Sequence, residues 1–298
     1  KSNKLESRFN SKKILTSTQP YSISTSKTNL GEIFMANFRI LFLIIQFSLM
    51  FSRFIYGENI YEERVYHSPY LTQSEKELLL PFLIDETDSA SEILDAIFQR
   101  TNPMKDKKAF ESAGFITIQN NGRSLVGFHP TLPEYIIKGK RNKVMKNHQT
   151  LFNRLINRAA IQWWIDAYNP QYIVIPNKVA YPLPSYPNMP MKEVQMTHGF
   201  IVIADTIDIK SNEETIKLFK NPDSWCEEMI IELYAFSRDI NYPDAAFRNI
   251  RFTQDMRIAI IDFDSVPSDE NALEAFFLEH LPSKWKAFWR ALKANDGS

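Results

Sequence analysis

The sequence is poor in the residues that most often build metal clusters and covalent staples. Its 298 residues include one cysteine, Cys226, and five histidines. A single thiol cannot form an internal disulfide framework, and the histidines show none of the close Cys and His spacings of a zinc site. Glycine is scarce as well, with eight in the whole chain, and the tight-turn signal Asn120-Asn121-Gly122 holds one glycine rather than a glycine-rich loop. Net charge is zero, yet eight of the 35 basic and two of the 35 acidic residues fall in residues 1–57, leaving 27 against 33 in the remainder, a net of −6. A mildly acidic domain is a poor match for a phosphate backbone. The basic run "KGKRNKVMK", Lys138 to Lys146, has little aromatic interleaving and reads as a solvated loop. No internal repeat or long low-complexity segment follows residue 60, and the length, about 240 residues after residue 57, suits a single domain.

The front of the chain speaks to location. Residues 1–34 are rich in Ser, Thr and Lys without a core pattern, and read as leader sequence ahead of a start at Met35. "MANFRILFLIIQFSLMFSRFIYG" then carries one early Arg, an apolar run from Ile40 to Phe51 and a Gly57 boundary. That is the form of a signal peptide over 35–57, so the protein is expected to be exported. Extension of the apolar run to Ile55 keeps a membrane tether as the alternative. Between 58 and 113, Thr72-x-x-Glu75 and Ser89-x-x-Glu92 form capping boxes before apolar runs, and Asn102-Pro103 marks a turn before a third short helix.

The chemistry-bearing stretch is "YPDAAFRNIRFTQDMRIAIIDFDS", Tyr242 to Ser265. Apolar runs at Ile250–Phe252 and Ile258–Ile261 flank a polar turn, the signature of a hairpin. With Asp255-Met256 as a two-residue loop, Asn249 stands opposite Asp262. Asp244 folds back over that end if "AAFR" forms a loop. Two carboxylates about 5 Å apart repel by roughly 3 kcal/mol at an effective dielectric of 20, which calls for a cation or a shared proton; magnesium, a hard ion that completes its shell with water and phosphate, fits best.

The pattern D-x-x-x-x-N at Asp244 and Asn249, followed thirteen residues later by Asp262-Phe263, resembles the catalytic loop and metal-binding motif of the protein-kinase-like fold. Upstream parts occur in matching order over about residues 114–265. "EYIIKGK" resembles the third-strand motif and makes Lys138 the phosphate-contacting lysine. The strand-like runs of "GFITIQNNGRSLVGFHP" put Asn121 and Gly122 where the family has its phosphate-covering loop. "HQTLFNRLINRAAIQWWIDAYN" has apolar residues at 151, 152, 155, 156, 159, 160, 163 and 164, a helical period that matches the regulatory helix, with Trp163-Trp164 read as core. "YIVIPNKVAYPLP" and "GFIVIADTIDI" read as two buried strands, with Ala204-Asp205-Thr206 at the base-binding hinge. "DSWCEEMIIELYAFSRDI" opens on the capping box Ser224-x-x-Glu227 and leads into the Asp244 loop.

The resemblance implies an α+β, two-lobed kinase-like fold: a helical extension over 58–113, an N-lobe over 114–206 and a minimal C-lobe over 207–298. It implies ATP and Mg²⁺ as cofactors. Asp244 would orient or deprotonate an acceptor hydroxyl, Asn249 and Asp262 would hold metal with a further contact from Asp264, and Lys138 would contact the nucleotide. Partners would be a nucleotide and a protein or small-molecule acceptor, not nucleic acid, with membrane contact confined to 35–57. The chain departs from the family in several places. No glutamate on the regulatory helix faces Lys138, where Asn153, Arg154, Asn157 and Arg158 fill the early turns. Tyr242-Pro243 stands for His-Arg, and Asp264 stands for the glycine after Asp-Phe, as in small-molecule kinases of the aminoglycoside and choline phosphotransferase type. Only 33 residues follow Ser265, a helix pair broken at Pro282, with no long activation segment. The second reading is an exported pseudokinase that binds a protein partner without transferring phosphate.

Overall fold

Apolar and β-branched residues recur in the stretches 116–120 and 124–129, and these pair as strands. The computed structural model describes residues 59–99, 101–120, 124–140, 148–186, 188–189, 197–240, 244–262 and 271–296. The expectations placed on residues 1–57, on Asn121 and Gly122, and on Asp264 lie outside them. Among the described residues there are nine α-helices, a five-stranded antiparallel sheet and a small mixed sheet, an α+β architecture.

Four short helices come first: α1 (Ile60–Tyr66), α2 (Gln73–Leu79), α3 (Ser89–Phe98) and α4 (Lys107–Ser112). The capping box of α2 forms as expected, Thr72 accepting from the Glu75 amide while the Glu75 carboxylate accepts from Thr72 N. At α3 the cap lies one residue earlier than expected: Asp88, extended at φ −66° and ψ 133°, accepts from Ala90 N, which leaves Ser89 inside the helix.

The strands β1 (Ile116–Asn120), β2 (Ser124–His129) and β3 (Leu132–Lys140) run as a meander, followed by α5 (Gln149–Tyr168). The stretch expected to be one strand after α5 divides into β4 (Ile173–Val174) and β5 (Lys178–Pro182). Pro176 lacks a donor and interrupts the ladder between them. With β6 (Phe200–Asp205), the large sheet has the order β1-β2-β3-β6-β5. Period-two alternation sends successive β6 side chains to opposite faces. Ile201 and Ile203 pack with Tyr61, Leu94, Phe98, Phe110 and Tyr181 on the face of α3 and α4. Phe200 and Val202 pack with Leu151, Phe152 and Leu155 of α5 on the other. Both faces of β6 are therefore covered.

The rest of the chain builds a second core. The helix α6 (Asn212–Lys220) was not expected from the sequence, although Ser211 and Glu214 close a capping box at its start. Next comes α7 (Glu227–Asp239), capped at Cys226 rather than Ser224. Ser224 ends a 3₁₀ turn that begins at Pro222, and Trp225 leaves it extended, so the box cannot close. The expected stripe of α7 does face inward: Trp225, Met229, Ile230, Leu233 and Phe236 are buried. β7 (Ile250–Phe252) and β8 (Ile258–Ile260) form the hairpin, and β4 joins β8 in parallel to complete the small sheet. The helices α8 (Ala272–His280) and α9 (Ser283–Asp296) close this core with Phe276, Phe277, Trp285 and Trp289. These C-terminal aromatics are core, as their spacing predicts.

On α5 the buried stripe is the expected one in part, since Leu151, Phe152 and Leu155 face inward. Trp164 is buried, but Trp163 is 62% exposed. The inward positions are Leu151, Phe152, Arg154, Leu155, Arg158, Ile161 and Trp164, a face that includes two guanidinium groups.

Candidate functional site

The site begins at the open end of the β7–β8 hairpin. The expected register is off by one: Ile250 pairs with Ile260 and Phe252 with Ile258. Thr253 N donates to Arg257 O at 2.9 Å, so the loop has three residues, Gln254 to Met256, rather than two. Met256 takes a left-handed φ of 66° to close it, and the Thr253 hydroxyl ties the turn down by accepting from Arg257 N at 2.8 Å. A three-residue loop with its last residue left-handed is a common hairpin solution that requires no glycine when side chains secure it. Asn249 therefore lies opposite Ile261, whose N–H donates to Asn249 O at 2.9 Å, and Asp262 is one residue beyond the paired end.

The "AAFR" segment does form a loop. Asn249 N and Ile250 N both donate to Ala246 O at 2.8 Å, and the Phe247 ring anchors the turn against Phe219 and Phe276. The loop folds Asp244 back, where Asn249 Nδ2 donates to Asp244 Oδ2 at 2.8 Å and to its carbonyl at 3.0 Å. Asp244 Oδ1 is met by Arg248, which is exposed.

Asp262 faces the large sheet. Lys138 Nζ on β3 lies 3.5 Å from its Oδ1, and Arg154 Nε on α5 lies 3.6 Å from the same oxygen. Burial raises the pKa of this carboxyl, but the fields of Lys138, Arg154 and Lys178 on β5, with the Lys138 hydrogen bond, outweigh it and hold the group down to about 2. It is an ionised acceptor at any physiological pH. Charge compensation that the sequence assigned to a metal or a shared proton is thus present in side chains, with Lys138 and Arg154 at Asp262 and Arg248 at Asp244.

These groups share one cleft of about 570 Å³ between the two sheets. Lys138, Asp244, Asn249 and Asp262 line it together with Ala204, Asp205 and Thr206. Apolar walls come from Ile118, Val126 and Ile136 of the large sheet and from Ile207, Ile209 and Ile261 opposite. At 204–206 the backbone donors are committed to the fold: Asp205 N donates to Asn177 O at 3.1 Å and Thr206 N to Glu134 O at 2.7 Å. Partial burial raises the Asp205 carboxyl, opposed by a hydrogen bond from the Asn177 backbone and by Arg158. Arg158 itself is structural, its Nε donating to Pro176 O at 2.8 Å.

Among the described residues no cluster of three or more His, Cys, Asp and Glu could hold a metal ion by itself. The Asp262 carboxylate and the Asn249 amide oxygen do fit a magnesium ion that brings water and phosphate as its remaining ligands, since that ion commonly takes one or two protein oxygens.

The sequence reading missed Arg154 and Arg248 as members of the site, and Lys178 as a cation whose field reaches Asp262. For Arg154 a signal was present: it falls three residues after Leu151 and seven before Ile161, on the buried face of α5. Comparison of the chain with models of known protein families and with curated proteins found no match.

Proposed function

We propose that the protein is a kinase-like phosphotransferase that binds ATP with Mg²⁺ in this cleft and transfers phosphate to a hydroxyl acceptor. The observation that carries the reading is the convergence of Lys138, Asp244, Asn249 and Asp262, spread over 125 residues of sequence counted inclusively, on one cleft between two sheets. Their order along the chain is that of the family: a lysine on the third strand, then a helix, then the D-x-x-x-x-N loop, then the acid after a hairpin.

In this reading the apolar walls Val126, Ile136 and Ile261 sandwich the base, and Lys138 neutralises phosphate charge. Asp244 accepts a hydrogen bond from the acceptor hydroxyl and takes its proton. Asn249 holds the Asp244 carboxylate in place through the 2.8 Å bond, and the Asp262 and Asn249 oxygens would hold the metal. The bound magnesium would supply charge neutralisation on the transferring phosphate. Most of the rate enhancement then comes from positioning and electrostatics.

The test is titration of the purified chain with ATP in the presence of Mg²⁺, followed by labelled phosphate transfer in mixed extracts. Saturable ATP binding is expected, with a labelled product that disappears in Asp262→Asn. No stabilisation at millimolar ATP would overturn the reading.

A second reading is a pseudokinase that serves as a protein-binding module. It is favoured by the committed backbone donors at 205 and 206 and by the Lys138–Asp262 ion pair across the cleft. Export would favour it too, because ATP is scarce outside cells unless the chain is delivered into another cell. ATP binding without any labelled product would select it.

A further inference from the structure

We propose that Arg154 is a second phosphate-binding residue of the cleft, gripping the same phosphate group as Lys138 once Asp262 releases both. The inference rests on the nucleotide reading above and adds a residue and a sequence of contacts to it.

The guanidinium cannot shed its charge on burial, so a 5% exposed arginine side chain must be held against an anion. Asp262 serves that role here, and one oxygen of it faces two cations at once. Two nitrogens at 3.5 and 3.6 Å from one oxygen lie no more than about 7 Å apart. That separation suits a single phosphate group, whose oxygens can each accept a charge-assisted hydrogen bond of about 2.8 Å. The planar fork of arginine can contact two phosphate oxygens, where an ammonium supplies a point charge.

The position of Arg154 explains why no acid is needed on α5. In this chain Lys138 is oriented by Asp262 across the cleft rather than by a carboxylate on the helix behind it. An arriving polyphosphate therefore exchanges places with Asp262: the phosphate takes Lys138 and Arg154, and the carboxylate turns toward Asn249. Phosphate binding and release of the acid become one event. A corollary is that a nucleotide polyphosphate should bind without divalent metal, because two protein cations already neutralise part of its charge.

The experiment is calorimetric titration of the full chain with ATP, ADP and adenosine, in EDTA and again with Mg²⁺, for wild type, Arg154→Met and Arg154→Lys. Wild type is expected to bind ATP in EDTA at least tenfold more tightly than adenosine. Arg154→Met should lose tenfold or more in affinity for ATP and ADP while its adenosine affinity holds. Arg154→Lys, which keeps charge and packing without the fork, should lose threefold or more by the same ratio and covers the case in which the Met variant does not fold. An unchanged ATP-to-adenosine ratio in both variants overturns the proposal and leaves the nucleotide reading standing. Wild type that binds neither ligand overturns that reading, and this inference with it.

Discussion

Asp244 divides its two carboxylate oxygens between unlike partners, and the division separates chemistry from stability. Oδ2 is fixed by the buried Asn249, whereas Oδ1 meets an exposed arginine. Exposed ion pairs contribute about 0–1 kcal/mol, so Arg248→Ala should shift the denaturant midpoint within the error of measurement. If the proposed function holds, Asp244→Asn removes the proton acceptor and keeps the shape. It should lower labelled phosphate transfer by about 100-fold or more, the range for loss of a positioned general base, with ATP affinity changed less than twofold. Equal losses in transfer and affinity would instead assign Asp244 to nucleotide binding. The two acids and the amide of this site were legible because Asp244, Asn249 and Asp262 lie within nineteen residues and their spacing is stereotyped. Arg154 was not, because an arginine in an amphipathic pattern is normally assigned to the wet face. Its inward position depends on a carboxylate 108 residues further along the chain.

Element by element, side chains fix the ends of helices more than propensity does. Glu75 closes the box at Thr72 and also accepts from His148 Nδ1 at 2.7 Å, tying the start of α2 to the start of α5. His148 Nε2 in turn accepts from Gly199 N at 3.3 Å, before β6. Burial pushes the Glu75 carboxyl up, but the hydrogen bonds from the Thr72 backbone and from His148 outweigh it and the pKa is lowered. A carboxyl depressed on folding binds fewer protons than it does in the unfolded chain. Its stabilisation is complete above the unfolded value, near 4.3, and is lost as pH falls through the lower folded value. Glu75→Gln should therefore cost about 1–2 kcal/mol at pH 7 and flatten the acid limb of stability, read from urea midpoints between pH 3 and 7. The strand β2 offers a separate check. A Cβ at Gly127 would sit 2.2 Å from Ile116 O, a backbone atom of β1 that cannot swing away. Gly127→Ala should cost about 1–3 kcal/mol, in the range of overpacking, in a thermal melt. At this scale Thr72, with its box, was read correctly. The hairpin loop was not, since Met256 in a left-handed conformation leaves no glycine for a sequence pattern to register.

At the scale of the whole molecule, the C-terminal helices supply core rather than decoration. Trp289 on α9 is fully buried and packs on Phe277 at 5.4 Å and Tyr234 at 5.5 Å between ring centroids. Trp289→Ala should cost about 3–5 kcal/mol, the range for a buried tryptophan, as a loss of denaturant midpoint. The α+β architecture could be read from alternating strands and amphipathic helices, whose periods differ. The division of the chain between two sheets could not, because it turns on one proline within a run of apolar residues. After α5 the backbone joins the small sheet for two residues, Ile173 and Val174, passes Pro176, and enters the large sheet at Lys178. Only three residues, 175–177, link these two memberships, and Arg158 clamps the middle one. Pro176, the middle residue of this link, also lines the cleft. On this side the two sheets can stand no further apart than three extended residues can span, about 10 Å.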